Sequence, residues 1–302
     1  MPGRLPHPPD HRSRGGRPAF LRHRTHRGRL AFLRHRSLAL GAGIAALLVL
    51  TALLSQVWLP HDVEAIDIDH RLQPPSAGHP FGTDHLGRDI FSRVLAATGT
   101  ALGVGLVSLA VALVLGVALG AAAGLRGGWV DEVLMRLADA LYAFPGLLFA
   151  LLTVAALGPG IFHAMLAIGI SAAPVFARLT RAGLISLRQR AFVEAARAVG
   201  AGRWRLFTRH LLPNAAAPLI VQSSVTMASA ILAEAALSFL GLGTQPPAPS
   251  WGRMLEEAQA FLTPAPWFGL FPGLFLALAV LGFNLLGDGL RDLLDPQTNH
   301  RG

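Results

Sequence analysis

The chain alternates between long uncharged runs and short segments that hold most of its charge. A helix that crosses about 30 Å of hydrocarbon needs roughly 20 predominantly apolar residues. Residues 38–59 and 98–125 each form one such run. Residues 140–177 contain no Asp, Glu or Arg, but the turn sequence Leu157-Gly158-Pro159-Gly160 divides them. We therefore predict two helices there, joined by a tight loop.

Two further runs complete the pattern. Residues 214–233 form a fifth run that continues to about Leu242, and the sixth lies within 258–287, from Trp267 onward. The pattern predicts an all-α integral membrane protein with six transmembrane helices. Prolines within the spans predict kinks, at Pro145, Pro174 and Pro218. Small residues in the second span predict close helix packing, at Gly103, Gly116, Gly120 and Gly124.

Composition supports a membrane protein and narrows its chemistry. Of the 302 residues, 52% are hydrophobic and 14% are charged, whereas soluble domains carry about 25% charged residues. Because the chain has no cysteine, it has no disulfide, thiolate metal site or Cys nucleophile. All 26 basic residues are arginine, and a phosphate-binding GxxxxGK[ST] loop requires lysine. The chain therefore contains no standard ATP site.

The distribution of arginine predicts the topology. A net charge of +9 alone would suit a nucleic-acid partner, but twenty-two of the arginines fall on one side of the six predicted spans and four on the other. The positive-inside rule makes the richer side cytoplasmic, with both termini there. Residues 1–37, with ten arginines, are expected to form a basic tail that contacts anionic membrane lipids. We expect no nucleic-acid partner.

A short amphipathic segment lies between the fourth and fifth spans. On a helix, Phe192, Ala195, Ala196 and Val199 share one face, and Glu194 lies on the other, spaced for an ion pair with Arg197. Gly200 is expected to end this helix, and Pro213 suits the first turn of the next span. Spacing alone leaves two interpretations open: docking into a groove of a partner protein, or a helix lying on the lipid headgroups.

The same segment resembles a known motif. Glu194-Ala195-Ala196, followed by Gly200, His210 and Leu212-Pro213, is similar to the EAA loop of bacterial ABC importer permeases. The resemblance extends over most of residues 79–296, through further stretches in the family's order. They are His79-Pro80-Phe81-Gly82-Thr83-Asp84, Gly87-Arg88-Asp89, Ala143-Phe144-Pro145, Glu234-Ala235-Ala236-Leu237-Ser238-Phe239-Leu240-Gly241-Leu242-Gly243, Pro249-Ser250-Trp251-Gly252 and Phe283-Asn284-Leu285-Leu286-Gly287-Asp288-Gly289-Leu290-Arg291-Asp292. The chain looks like the second, C-type permease subunit of the dipeptide, oligopeptide and nickel branch.

This resemblance implies a type I ABC importer permease fold and a non-catalytic subunit of an inner-membrane importer for peptides or peptide-like solutes. It implies a homologous permease as partner in a heterodimer, two cytoplasmic ATP-binding subunits and an extracytoplasmic solute-binding protein. ATP and magnesium are used on the ATP-binding subunits, and this chain carries no cofactor and no metal. The ATPase-coupling residues carried over are Glu194, Ala195, Ala196, Val199, Gly200, His210 and Pro213.

The predicted spans, together with the resemblance over residues 79–296, give an organisation of the chain in which residues 1–37 lie outside the resemblance. It comprises a tail (1–37), a first transmembrane helix (38–59), an extracytoplasmic segment (60–97), a permease domain (98–290) with a coupling loop (181–212), and a cytoplasmic C-terminal tail (291–302).

Several polar residues outside the coupling loop are candidates for other roles. Glu234, toward the outer end of span five, is expected either to line the pathway or, as we favour, to bond across helices in a structural helix–helix role. Asp84, Arg88 and Asp89 are candidate contacts for the binding protein, although pairing within an amphipathic helix would explain them equally well. Asp139 is expected to pair with Arg136 or to cap a helix, and His163 to lie at the membrane interface rather than bind nickel.

Other classes of function remain to be weighed. A permease of the same family could import nickel or a nickel chelate. A self-sufficient ion-coupled carrier usually has carboxylates near the membrane midplane and an internal repeat, but only Glu234 qualifies here and no repeat is evident. A membrane enzyme is unsupported, because the chain lacks Cys, HExxH and GxSxG motifs.

Overall fold

The fold is a bundle of apolar helices. The computed structural model describes the backbone of residues 24–294 and the side chains of residues 36–294, apart from those of Arg197 and Arg203. The helices are α1 (Arg24–Leu54), α2 (Ile90–Arg126), α3 (Gly128–Ala143), α4 (Gly146–Leu157), α5 (Ile161–Arg188), α6 (Ala191–Ala198), α7 (Arg203–Leu206), α8 (Leu212–Asn214), α9 (Ala216–Phe239), α10 (Trp251–Ala258) and α11 (Pro266–Leu294). Short 3₁₀ turns (Ile68–His70 and Gln259–Phe261) and a π turn (Phe207–Leu211) lie between them.

The number of spans agrees with the sequence prediction. Residues 36–54 of α1 and the whole of α2, α5, α9 and α11 are long and apolar enough to cross a membrane. Helices α3 and α4 meet that condition only together, and they are bent by 88° at the break between them. Counting this bent pair as one broken span gives six. The predicted six-helix membrane fold is therefore confirmed.

Proline explains the break between α3 and α4. Pro145 has no N–H to continue the helix, and it disfavours helical backbone at the preceding residue, Phe144, which is extended with ψ of 132°. The kink predicted at Pro145 is thus a full interruption. Pro174 lies inside α5, whereas Pro218 falls in the first turn of α9, where a missing N–H breaks no helical hydrogen bond.

Two helices begin earlier than hydropathy alone predicts. Helix α1 starts at Arg24 rather than residue 38, so part of the expected basic tail is helical; residues 1–23 lie outside the described chain. Helix α2 starts at Ile90 rather than residue 98. The Asp89 carboxylate accepts a hydrogen bond from the Ser92 backbone N–H at 2.8 Å and so caps the helix outside the uncharged run.

Helix α2 packs along α5 through glycine. A Cβ added at Gly116 would collide with the Phe176 side chain, and one at Gly120 with the Ala177 carbonyl oxygen. Gly124 is close to Leu184, at 3.2 Å, whereas a Cβ at Gly103 would meet nothing within 4 Å. The packing predicted from glycine therefore holds at three of the four positions. This contact fixes the ends of α2 and α5 near which the amphipathic segment is attached.

Candidate functional site

Helix α6 rests on the bundle with one side and exposes the other. Val193 is fully buried and Ala196 is 9% exposed, in a cluster with Leu206, Phe207 and Leu211 of the next segment. Val199 is 86% exposed, and Phe192 and Ala195 also face outward. The apolar face predicted from helical spacing is consequently divided. Ala196 belongs to the chain's own core, and the remaining three residues form an exposed apolar surface.

Gly200 terminates α6, as predicted. Its φ of +81° is in the left-handed region that favours glycine. The Ala201 N–H donates to the Ala196 carbonyl at 3.0 Å, and the Val199 N–H donates to the Ala195 carbonyl at 3.2 Å. The first of these bonds is the 6→1 hydrogen bond of a Schellman motif. The end of α6 is therefore a defined turn.

A nearly continuous helical path joins α7 to α9. After α7, the π turn Phe207–Leu211 buries Phe207 and Leu211, and α8 follows with Pro213 in its first turn. His210 is partly buried, and its carbonyl accepts a hydrogen bond from the Asn214 side chain at 2.6 Å. Pro213 starts α8 rather than α9, which begins at Ala216. Movement of α6 would thus be transmitted through these packed turns to a spanning helix.

Arginines of α5 hold the same end of the bundle together. Arg188 donates to the Gly124 carbonyl at the end of α2, at 2.7 Å. Arg181 forms a two-pronged ion pair with Asp131 of α3, with Nη2 to Oδ2 at 2.6 Å. Sequence reasoning missed both contacts, because the partners are more than forty residues apart and share no local spacing.

The ion pair expected between Arg136 and Asp139 is wrong. Asp139 pairs with Arg178 of α5 at 3.0 Å, and Arg136 pairs with Glu132 one turn earlier at 3.0 Å. The Arg178 guanidinium also lies 4.1 Å from the centre of the Tyr142 ring. Packing of α3 against α5 brings a distant arginine to Asp139. For the pair expected between Glu194 and Arg197, the arginine side chain lies outside the described part of the chain.

At the opposite end, a buried ion-pair network replaces the expected polar surface. The Asp84 side chain is fully buried, and its Oδ2 accepts from Arg88 Nε at 2.7 Å and from Arg93. Both arginines also reach Glu257 Oε2 of α10, each at 3.1 Å. The other Asp84 oxygen accepts the backbone N–H groups of Leu86 and Arg88, at 2.8 and 2.9 Å. The network joins the segment before α2 to α2 and α10.

This network changes the interpretation of the outer residues. Asp84 and Asp89 are 0% and 2% exposed, so neither presents a carboxylate to a partner, and the side chain of Arg88 is only 14% exposed. The proposed contacts with a binding protein are therefore not supported by their placement. Pairing within the segment is present, but residues 82–89 form turns rather than an amphipathic helix. Glu257 was missed because nothing in the sequence links it to a segment more than 160 residues earlier.

Glu234 is buried near the C-terminal end of α9. It is 1% exposed, and its Oε1 accepts from the hydroxyls of Ser238 at 2.6 Å and Thr244 at 2.8 Å. Ser238 Oγ in turn accepts the Thr244 N–H at 2.8 Å. This burial does not support pathway lining, but both partners lie in α9 itself or in the loop after it, so the described contacts of Glu234 do not include the bond expected across helices. A ring nitrogen of His163 lies 2.9 Å from the Gly158 carbonyl, and His163 belongs to neither of the described His/acid groups compatible with a metal ion.

Six apolar spans, one of them broken, with a packed amphipathic segment between α5 and α9, define a multi-span helical membrane protein. Residues 116–300 match the model of the family described as "Binding-protein-dependent transport system inner membrane component". The chain belongs to this family.

Curated relatives share most of their length with the chain. The glutathione transport system permease protein GsiD of Pectobacterium atrosepticum is 44% identical over 86% of this chain and 87% of its own. The probable D,D-dipeptide transport system permease protein DdpC of Escherichia coli is 43% identical over 86% and 88%. The dipeptide transport system permease protein DppC of Alkalihalophilus pseudofirmus is 47% identical over 76% and 75%.

A solved structure has the same fold. The inward-facing methionine ABC transporter MetNI contains a chain that superposes with a TM-score of 0.53 at 16% identity, covering 67% of this chain and 97% of its own. The protein is accordingly a multi-pass inner-membrane permease subunit of an ABC importer. Its family depends on a binding protein, so a self-sufficient carrier is not supported, and the named relatives do not favour the nickel alternative.

Proposed function

We propose that this chain is a non-catalytic permease subunit that imports peptides or peptide-like solutes, with α6 as its docking element for an ATP-binding subunit. The observation that carries the proposal is the exposed apolar surface of Phe192, Ala195 and Val199, at the end of a helix closed by Gly200. An apolar surface this exposed is suited to burial against a partner. Because the chain has no lysine for a phosphate-binding loop, energy must come from such a partner.

The partners follow from the family. A homologous permease completes the pathway as a heterodimer, two cytoplasmic ATP-binding subunits use ATP and magnesium, and an extracytoplasmic binding protein delivers the solute. This chain itself carries no cofactor. The arginine distribution favours cytoplasmic termini, and the basic tail contacts anionic lipids. The permease domain comprises residues 98–290, with the coupling loop at 181–212.

Coupling would proceed by rigid-body motion. Closure of the ATP-binding subunits displaces α6, whose buried side contacts the π turn before α9. Val193, Ala196, Phe207 and Leu211 pack in one cluster, and the chain runs from this cluster through α8 into α9, so the displacement would reach α9 along the backbone. The two permeases then alternate between inward-open and outward-open states.

The docking surface can be tested with a matched pair of valines. Val199 and Val57 are 86% and 88% exposed, at opposite ends of the bundle. In the full complex, Val199→Arg should place a charge in the apolar interface, lower recovery of the ATP-binding subunits with the permease and reduce uptake at least tenfold. Val57→Arg should leave both unchanged. Normal assembly and uptake by the Val199 variant would refute docking through α6.

The substrate class is tested separately. The named relatives transport glutathione, D,D-dipeptides and dipeptides according to their names. The partner binding protein should therefore bind dipeptides or glutathione in calorimetric titrations and ignore nickel chelates. Tight binding of nickel chelates alone would reverse the assignment while leaving the coupling role untouched.

A further inference from the structure

We infer that the extracytoplasmic segment contains a binding site for a divalent transition-metal ion of the zinc type, formed by His61, His79 and Asp89. These three side chains come from the loop after α1, the loop before α2 and the N-cap of α2. Their ligand atoms all lie within 4.8 Å of one another. The site is separate from the α6 surface and independent of the peptide assignment.

The distances suit a metal ion. His79 Nδ1 is 3.0 Å from Asp89 Oδ1, and His61 Nδ1 is 3.6 Å from Asp89 Oδ2. In a tetrahedral zinc site, metal–ligand bonds of about 2.0–2.2 Å place neighbouring ligand atoms about 3.3–3.5 Å apart. The two observed separations, each to a different oxygen of the Asp89 carboxylate, lie just below and just above this range. Small side-chain rotations would therefore admit an ion, with the fourth position open to water.

The surrounding residues hold the ligands in place. Asp89 Oδ2 accepts from the Ser92 N–H at 2.8 Å and the Ser92 hydroxyl at 2.7 Å, which leaves Oδ1 to face His79. The His61 backbone N–H donates to the same Ser92 hydroxyl at 3.1 Å. Such outer contacts orient first-shell ligands in known metal sites. The two histidine rings lie side by side, with centroids 4.7 Å apart.

The donor set and its exposure distinguish this cluster from an ordinary hydrogen-bonded pair. Two imidazoles and one carboxylate are typical ligands for zinc and its neighbours in the transition series. Asp89 is buried, while the side chains of His79 and His61 are 25% and 41% exposed, which provides an entry path for the ion. An ordinary His–Asp hydrogen bond involves one histidine, whereas both His61 and His79 face the Asp89 carboxylate here.

The other described group of this kind is less suitable. It consists of Asp84, His85 and Glu257. Both carboxylates are already paired with the guanidinium groups of Arg88 and Arg93. A cation there would compete with two fixed positive charges, whereas none of the arginines whose side chains the structure describes pairs with Asp89.

An ion in the first site would fasten the end of the α1 loop to the start of α2. His61 and Asp89 are separated by the whole 60–89 segment, so coordination would close this segment at its base. The expected consequence is metal-dependent stabilisation of the subunit, because a ligand that binds only the folded state raises its stability by mass action.

The test is Zn²⁺ binding by the full chain in its complex, purified without a polyhistidine tag. Five of the 12 histidines lie in residues 1–35 and will bind zinc weakly, so the readout is the difference between variants. His61→Ala is the principal variant, since only its backbone contributes to the hydrogen bond with Ser92. His70→Ala is the matched control. His70 pairs with one carboxylate, Asp67, at 2.7 Å, but among the described residues it belongs to no group compatible with a metal ion.

Competition with a fluorescent chelator should show one strong site per chain in the wild type and in His70→Ala. In His61→Ala the affinity of that site should fall roughly tenfold or more, and the rise in melting temperature on adding Zn²⁺ should shrink. His79→Gln provides a second variant if His61→Ala does not fold. Equal zinc affinity in the wild type and a folded ligand variant would overturn the site, as would an equal loss in His70→Ala.

Discussion

At the residue scale, the backbone conformation of Gly200 positions the surface of α6 that we propose for coupling to the ATP-binding subunits. Its φ is +81°, in the left-handed region. There is open space around its Cα, since an added Cβ would meet nothing within 4 Å. The requirement for glycine there is therefore conformational rather than steric. Gly202, two residues later, also has open space but is not in the left-handed region. The two glycines share open space but differ in backbone conformation, which makes them a natural comparison.

We predict that Gly200→Ala weakens coupling, whereas Gly202→Ala does not. Alanine in the left-handed conformation costs roughly 1–2 kcal/mol, so the turn after α6 should shift and misplace the outward apolar surface. Uptake driven by ATP should fall several-fold relative to ATP hydrolysis in reconstituted liposomes. Membrane insertion should be unchanged for both variants. Equal effects of the two substitutions would contradict a role for the left-handed turn.

At the element scale, the contact between α2 and α5 sets the position of the coupling segment. Glycine at positions 116 and 120 allows the helix backbones to approach, because neither position has room for a Cβ against α5. In membranes, where lipid and side chains are equally apolar, such close packing is a main source of helix association. Arg188, which bonds to the end of α2, then holds the start of the coupling segment.

We predict that Gly120→Leu disrupts this contact and that Gly103→Leu is tolerated by the subunit. Both positions lie on α2, but only Gly120 is in contact with α5, at the Ala177 carbonyl and the Thr180 side chain. The melting temperature of the detergent-purified subunit should fall markedly for Gly120→Leu and little for Gly103→Leu. A similar loss in both would mean that α2 tolerates no added bulk anywhere, and would not support a specific α2–α5 contact.

At the scale of the whole molecule, the two ends of the bundle are held differently. One end carries a buried ion-pair network and the His61–His79–Asp89 cluster, which close the 60–89 segment onto α2 and α10. The other end carries the exposed surface of α6, whose buried side packs on Leu206, Phe207 and Leu211. In the proposed topology, an outer end held by buried ion pairs and an inner end that exposes α6 would suit a protein that receives its driving motion from the cytoplasmic side.

We predict that this side is the one that carries both termini. Twenty-two arginines lie on that side of the spans and four on the other, and the positive-inside rule follows this imbalance. A fluorescent protein fused to the C-terminus should fold and fluoresce, and alkaline phosphatase fused after residue 60 should be active. The reverse pattern would invert the topology and remove α6 from contact with cytoplasmic ATP-binding subunits.

The sequence by itself determined the membrane class, the number of spans, the position of the amphipathic segment proposed for coupling and its ending at Gly200. Each of these depends on local properties: the length of an apolar run, helical spacing or the conformational freedom of glycine. Tertiary structure alone decided that Ala196 faces inward while Val199 faces out, that Asp139 pairs with Arg178, and that Asp84 meets Glu257. These outcomes depend on which distant helices come into contact, and no local pattern encodes the partner of a buried charge.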